Sequence, residues 1–505
     1  MISLLHRPDS YTVTTDDANT NDVALRFENT PSGLDFFVSA QTSHIKFITL
    51  RWRCPIREEV SVLCDAWERS YGNLGFSALD PERALPWYFA LRHQNGTDCI
   101  GVGVQPNAFV HFTVDCEGIT AYCDLRAGTV GVDLAGRELL VATFMNAEYP
   151  ETTSTFDALC DFCRKMSPNP LLPKEKVYGG NNWYYAYGKS SYEEIISDAK
   201  LQAALAEGLE NRPFMVIDDG WQPKPCQGPW EANERYGDMK RVADEFKAMG
   251  IRPGIWIRPL CDDSPEIPNE WRFQNYTNRL DPSHPAVLSH LSALVKKIVG
   301  WGYELIKHDF SAFDIFGAWG FQRRSYFTSG EWKFYDSTKT SAEIYKTFLK
   351  TLLDATDGKA YILGCNCVSH LTAGLCHINR TGDDTSGTDW ERTRKMGVNT
   401  LAFRLCQNNA FYMVDADCAG FIKGRIPFSL NRRWVELLAK SGTPLFISAP
   451  NGVFDEEEFS VMQSLYKIAS KQENVAIPLD FTYNNTPARW MIDGKLYDFD
   501  WWNES

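Results

Sequence analysis

Five aspartates follow three apolar runs: Asp218 and Asp219 come directly after Phe214-Met215-Val216-Ile217, Asp309 closely follows Tyr303-Glu304-Leu305-Ile306, and Asp415 and Asp417 follow Ala410-Phe411-Tyr412-Met413-Val414. A single Asp after a strand is most often a turn former or a helix cap. Repeated after several strands, with Lys307 and Trp221 beside them, they point to one shared site. At the C-terminal ends of parallel barrel strands such residues converge on the face where active sites are built. Paired carboxylates there have the chemistry of glycosidic cleavage. In a retaining reaction one attacks the anomeric carbon while the other protonates the leaving oxygen and later activates water, the two lying about 5 Å apart.

The elements that must position these residues are legible in the pattern of the chain. From Val177 onward short apolar runs alternate with helical stretches: Phe214 to Ile217, a helix over Met239 to Met249, Pro253-Gly254-Ile255-Trp256-Ile257, a helix over Ala286 to Trp301, then Tyr303 to Ile306. Ala360 to Leu363, Ala410 to Val414 and Pro444 to Ile447 continue the alternation, which is that of βαβ units in a parallel sheet. About eight such units predict an α/β fold, a (β/α)8 TIM barrel, over residues 171–455.

Residues 1–170 read differently. Leu34 to Ala40, Ile45 to Trp52, Val110 to Asp115 and Leu139 to Phe144 are rich in alternating β-branched and aromatic residues, which predicts an N-terminal antiparallel β-sandwich. Pro168, Pro170 and Pro173 mark the linker to the barrel. Ala488 to Ile492 and Lys495 to Phe499 read as a strand pair, so residues 456–505 are expected to form a small C-terminal β region.

Composition narrows the class further. A chain of 505 residues is too long for one core, and 44% hydrophobic with 23% charged residues is ordinary for a folded globular protein. With 51 Lys and Arg against 65 Asp and Glu, the net charge of −14 opposes a phosphate backbone, so nucleic acid is not an expected partner. The 16 Trp include rings that could stack on the C–H faces of sugars, although most are expected to fill cores. Neither a secretory n- and h-region nor a membrane-length apolar segment is evident, and the 14 Cys are scattered rather than framed for disulfides. The expectation is a reduced, cytoplasmic protein. Cys365, Cys367, His370, Cys376 and His377 have some zinc-like spacing, but thiols packed as small apolar groups are the plainer reading, and neither a metal nor a cofactor is expected.

Four segments carry a resemblance. Asn182-Trp183-Tyr184-Tyr185, Ile217-Asp218-Asp219-Gly220-Trp221, Ile306-Lys307-His308-Asp309 and Arg380-Thr381-Gly382-Asp383-Asp384-Thr385 resemble the clan D retaining glycosidases of the α-galactosidase group. The likeness is strongest to glycoside hydrolase family 36, with features of family 27, and covers about Val177 to Pro450. It implies Asp309 as nucleophile and Asp383 as general acid/base, with Asp384 the alternative, and a substrate site of Asp218, Asp219, Trp221, Lys307, Trp183, Trp256, Cys365, Asn366, Arg380 and Asp384. It also implies a terminal α-linked sugar of an oligosaccharide or glycoconjugate as substrate, galactose first, and a homo-oligomer. An α-N-acetylgalactosaminidase and a raffinose-synthase-like transglycosylase are the alternatives, and a sugar-binding protein without activity is a more distant one.

Three departures from the family pattern stand out. Phe310-Ser311 follows the nucleophile where Asn is usual at the second position, and Arg258 stands where related enzymes carry Glu. Gly364-Cys365-Asn366-Cys367 replaces a Cys-Ser-Gly-Gly run beside the sugar 2-position. Lys307 is expected to favour an ionised Asp309, and Asp383, as an acid, to occupy a less cationic or drier setting.

Overall fold

Ile48, Leu50 and Trp52 are buried while Thr49, Arg51 and Arg53 are not, the period of two expected of a strand with one face inward. A computed structural model describes residues 4–56, 59–276, 278–323 and 327–503 of the chain, so both termini of the expected outer regions lie outside it. Strand Ile45–Arg53 belongs to an antiparallel five-stranded sheet with Ser10–Thr15, Gly118–Asp124, Phe109–Asp115 and Leu85–Pro86. A seven-stranded antiparallel sheet holds Gly33–Ser39 beside Leu139–Pro150. Trp52 from the first sheet meets Phe144 from the second edge-on at 5.2 Å, and this contact lies in the core of the sandwich.

The second architecture is the parallel barrel. Its strands are Tyr178–Asn181, Phe214–Ile217, Arg252–Ile257, Leu305–His308, Tyr361–Gly364, Ile378–Arg380, Met413–Asp415 and Leu445–Ser448, each followed by helical structure. Pairing runs in that order and closes through Tyr178 opposite Leu445. The seventh strand is split: after Asp415 the chain leaves the sheet and returns at Ala419–Gly420 beside the eighth. Phe214, Val216, Leu305, Leu363, Ile378, Met413 and Phe446 fill the barrel interior, whereas Met215, Ile217 and Ile306 join the core under the helices.

Helix boundaries follow local chemistry. Asp238 accepts from the N–H groups of Lys240 and Arg241 and starts helix Met239–Ala248, and Pro285 and Gly302 bracket helix Pro285–Trp301. Helix Glu456–Ala469 falls within the stretch expected as the C-terminal β region. It lies against helix Phe428–Lys440 and the first barrel strand, in the place of the eighth barrel helix. A third strand, Ala476–Pro478, joins the expected pair Arg489–Ile492 and Lys495–Asp498. Among the described residues no helix is long and apolar enough to cross a membrane.

The sandwich reaches the barrel through residues 65–74. The Ser70 N–H donates to Thr381 O at 2.7 Å and Ser70 O accepts from the Asp383 N–H at 2.9 Å, so this segment adds a short parallel pairing beyond the sixth strand. Arg404 donates to Asp65 Oδ1 through Nε at 2.9 Å and Nη2 at 2.6 Å, and to Thr381 O at 3.0 Å. The ion pair is essentially dry, with side-chain exposures of 0% and 1%. Removing one member of such a pair strands the other charge, which costs about 3–5 kcal/mol. Asp65→Ala should therefore lower the unfolding free energy by that order, measured by denaturant titration followed by far-ultraviolet circular dichroism, and Asp65→Asn should lower it less.

Candidate active site

Period two carries the barrel interior upward into a polar rim. Val216 and Leu305 point inward, so Asp218 and Lys307, two residues on, also point inward, as does Asp309 above Lys307. The same step leads from Leu363 to Cys365, from Ile378 to Arg380 and from Met413 to Asp415. One apolar layer thus supports a ring of polar side chains at the C-terminal ends of the strands. Gly220, at φ 105°, permits the turn after Asp219, because a Cβ there would lie 2.4 Å from Gly188 O.

On the rim, the carboxylate of Asp218 takes three donors: Asn181 Nδ2 and Lys307 Nζ at 2.7 Å each on Oδ2, and the Asp219 N–H at 2.9 Å on Oδ1. Asp219 takes Gln222 Nε2 at 2.6 Å, the Cys226 N–H at 2.9 Å and the Cys226 thiol at 3.0 Å. A carboxylate offers about four acceptor positions, so each has room for roughly one ligand hydroxyl. Burial works against the charge of Lys307, but Asp218 beside it holds the amine firmly protonated. Asp309 is oriented by the Phe310 N–H on Oδ1 at 2.7 Å and by the Trp256 indole on Oδ2 at 3.2 Å.

Across the rim the acid candidates are wrapped in guanidinium groups. Asp383 bonds Arg392 at 2.8 Å through Oδ2 and Arg69 at 3.1 Å through Oδ1, with its side chain 13% exposed. Asp384 pairs with Arg380 and lies 3.7 Å from Arg69, both through Oδ1, and its side chain is 40% exposed. Burial opposes its charge, yet Arg380 and Arg69 outweigh that and hold Asp384 well below the usual carboxylate range. Asp417, left-handed at φ 79° in the split strand, accepts from the Tyr184 hydroxyl and from the Thr385 N–H at 2.9 Å. Asp415 beside it is pushed up to about 6 by burial and by the Asp417 charge.

The structure brings Asp218, Asp219, Lys307, Asp309, Trp256, Arg380, Asp383 and Asp384 to one rim, with Trp183 at the first strand end, where its ring lies 5.2 Å from Tyr187. It corrects several expectations. Lys307 donates its hydrogen bond to Asp218, at the end of the second barrel strand, and not to Asp309. Asp383 sits between two arginines, not in a less cationic setting. Trp221 has no exposed surface and donates to Trp256 O at 2.8 Å, so it backs Trp256 and meets no ligand. Cys365 and Asn366 are also fully buried, Cys365 under Arg380 and Asn366 between Glu68 and the Phe313 N–H.

Among the departures, Ser311 pairs with His308 Nδ1 at 2.9 Å, away from the nucleophile position. The charge of Arg258 is absorbed by a bidentate pair with Asp314 at 2.6 and 2.8 Å, so the mouth gains no free cation from it. In the cysteine and histidine cluster the two histidines turn away, His370 bonding Val102 O at 2.7 Å and His377 accepting from the Ile362 N–H at 3.1 Å, while Cys367 and Cys376 each lie 3.7 Å from His308 Nε2. The sequence reading missed Arg69, Glu68 and Cys226, and it carried Tyr184 and Arg392 only within segments similar to the family, without a place in the site. Arg69 and Glu68 lie in the sandwich, far from any barrel motif, and no local pattern marks them.

No protein-family model matches the chain, and no curated protein matches it. Solved structures do. The α-galactosidase of Thermus thermophilus, in complex with p-nitrophenyl α-D-galactopyranoside, is similar over 97% of this chain and 99% of that one, with a TM-score of 0.63 at 18% identity. A GH36 α-galactosidase of Geobacillus stearothermophilus, in complex with 1-deoxygalactonojirimycin, matches 93% of this chain and 71% of its own, at TM-score 0.62 and 13% identity. The galactosidase domain of an α-galactosidase–sucrose kinase matches 96% and 75%, at 0.60 and 15%. The chain thus has the fold of the GH36 α-galactosidases, an N-terminal sandwich joined to a (β/α)8 barrel.

The raised Asp415 carboxyl makes a prediction about stability. The folded state holds its proton up to about pH 6 while an unfolded Asp releases it near the ordinary 3.8, so this group's destabilising contribution is absent below that value and complete above about pH 6. At 1.4 kcal/mol per pH unit the effect is about 3 kcal/mol. Asp415→Asn should raise the unfolding midpoint at pH 7 and leave it nearly unchanged at pH 4, read by denaturant titration at both.

Proposed function

We propose that the chain is a retaining exo-α-glycosidase that releases terminal α-galactosyl residues. The observation that carries this reading is the single polar rim on which Asp309, fixed by two donors, shares the barrel mouth with the Asp383–Asp384 pair and the Asp218–Lys307 pair. In this reading Asp309 attacks the anomeric carbon, the leaving oxygen takes a proton from the acid, and water activated by the same group then cleaves the glycosyl-enzyme. Asp218 and Asp219, each with an acceptor position spare, take sugar hydroxyls in charge-assisted bonds. The α-galactosidase complexes of the same fold support galactose as the sugar.

For the acid/base the side-chain environments favour Asp384 over the Asp383 implied by the motif. Both oxygens of Asp383 are held by arginines, whereas Asp384 meets its two arginines through Oδ1 and is the more open to solvent. A general acid needs an oxygen free to carry the proton toward the leaving group. Arg69 and Arg380 disfavour that proton, so the acid works best at low pH.

The first test is a panel of nitrophenyl α-glycosides. Release from the galactoside, lost in Asp309→Ala, with α-galactose as the first product seen by nuclear magnetic resonance, is the expected result. Release only from the glucoside or the N-acetylgalactosaminide would reassign the sugar, and β-galactose appearing first would rule out retention. Asp384→Asn should lower kcat by about 10²–10⁴, and Asp383→Asn by less. Arg69→Gln removes a cation and raises the Asp384 pKa. An acid acts while protonated, so the alkaline limb of the kcat/KM profile should move to higher pH.

A further inference from the structure

Ala24–Thr30 is the outermost strand of the seven-stranded sheet of the sandwich, with Gly33–Ser39 on one side and, among the described residues, no strand on the other. An edge strand exposes a row of unpaired N–H and C=O groups, and the other edges of the sandwich are blunted. Ser77–Ala78 and Leu85–Pro86 are two residues long, and Ser10–Thr15 breaks register between Thr14 and Thr15. Ala24–Thr30 has seven residues in unbroken register and no proline.

Its open side follows from the turn. The pairing with Gly33–Ser39 closes at Thr30 opposite Gly33 across the two residues Pro31-Ser32, so Thr30 and Gly33 exchange the closing hydrogen bonds. Alternate residues then aim the same way: Thr30, Glu28, Arg26 and Ala24 bond inward, while Asn29, Phe27 and Leu25 present their N–H and C=O groups outward. Among the described residues none of these outward groups has a hydrogen-bond partner. Phe27 stacks on the core ring of Phe36 at 4.9 Å, yet it and Leu25 remain partly exposed at the edge. On the opposite face Arg26 pairs with Glu28 at 2.7 Å and with Glu138 at 2.8 Å, all three side chains about half in solvent.

We propose that this edge is an interface between two copies of the chain, joined antiparallel about a two-fold axis at Phe27. Phe27 then faces Phe27 of the second copy, Leu25 faces its Asn29 and Asn29 its Leu25, and these outward residues exchange about six hydrogen bonds. Between them Arg26 stands opposite Glu28 of the second copy, and Glu28 opposite its Arg26, in the closer non-hydrogen-bonded pairs. Each cation is flanked by an anion along its own strand and another across the axis. The same charges fix the register. A slip of two residues sets Arg26 against Arg26 or Glu28 against Glu28, and a slip of one sets outward groups against inward ones. The register is read from this strand alone and does not depend on the glycosidase reading. A seven-residue edge is smaller than a standard interface of about 1,600 Å², so the dimer is expected to dissociate on dilution, with a Kd in the micromolar range.

The test is sedimentation velocity of the full chain from about 1 to 100 µM, where monomer should give way to dimer. Arg26→Glu and Glu28→Arg each set like charges across the axis and should weaken association at least about tenfold, with the far-ultraviolet circular dichroism unchanged. An equimolar mixture of those two variants restores opposite charges at both pairs, so it should form a mixed dimer that neither forms alone. Asn29→Pro removes an outward N–H, leaves the inward bonds intact and should also weaken the dimer. A monomer throughout the range, association that survives the reversals, or a mixture that stays monomeric overturns the interface. Should a charge reversal fail to fold, Asn29→Pro decides, and undiminished association in that variant overturns the interface.

Discussion

Arg69 is the contact on which the polar rim depends. It comes from the sandwich, yet its guanidinium touches Asp383 and Asp384 and lies under the Trp319 ring. Its place is set by the neighbours on either side: Asp65 is locked to Arg404 in a dry ion pair, and Ser70 pairs with the backbone of Thr381 and Asp383. A buried pair of this kind adds little net stability but strongly penalises any arrangement that separates its members. The two domains are thereby held in one register, and the acid candidates receive their cation from outside the barrel.

Charge at the rim is balanced locally. Lys307 answers Asp218, Arg392 answers Asp383, and Arg380 reaches Asp384 and Asp417. Among the described residues no cation pairs directly with Asp415, and its carboxyl is pushed up by burial and by Asp417. Arg258 follows the same rule one layer out. Its bidentate pair with Asp314, whose side chain is fully buried, fixes the short helix Ser311–Phe316, and its guanidinium covers the Phe310 ring at 4.3 Å. Phe310 has a left-handed backbone at φ 61°, a conformation that stores about 1–3 kcal/mol in a residue other than glycine. The Arg258 contact, together with the bond from its own N–H to Asp309, holds it there and aims the nucleophile position.

The barrel was legible in the chain because its evidence is local. Fully buried parallel strands read as short apolar runs, helices announce themselves through caps such as Asp238 and Pro285, and the period of two assigns Asp218, Lys307 and Asp309 to the inward face before any contact is known. The sandwich strands were legible for the same reason. Helix Glu456–Ala469 was not read as a helix, its stretch being expected as part of the C-terminal β region, and its amphipathic pattern does not say which neighbour it covers.

What the sequence determined by itself is the set of elements and the identity of the inward-facing polar residues, because both follow from spacing along a regular backbone. Only the tertiary structure decided the partners. Lys307 turns to Asp218 instead of Asp309, Trp221 and Asn366 are walled in, and Arg69 and Glu68 arrive from a domain with no barrel motif. Partner choice depends on distances between strand ends at the barrel mouth and between domains, and residues tens to hundreds of positions apart in sequence leave no local pattern that records them.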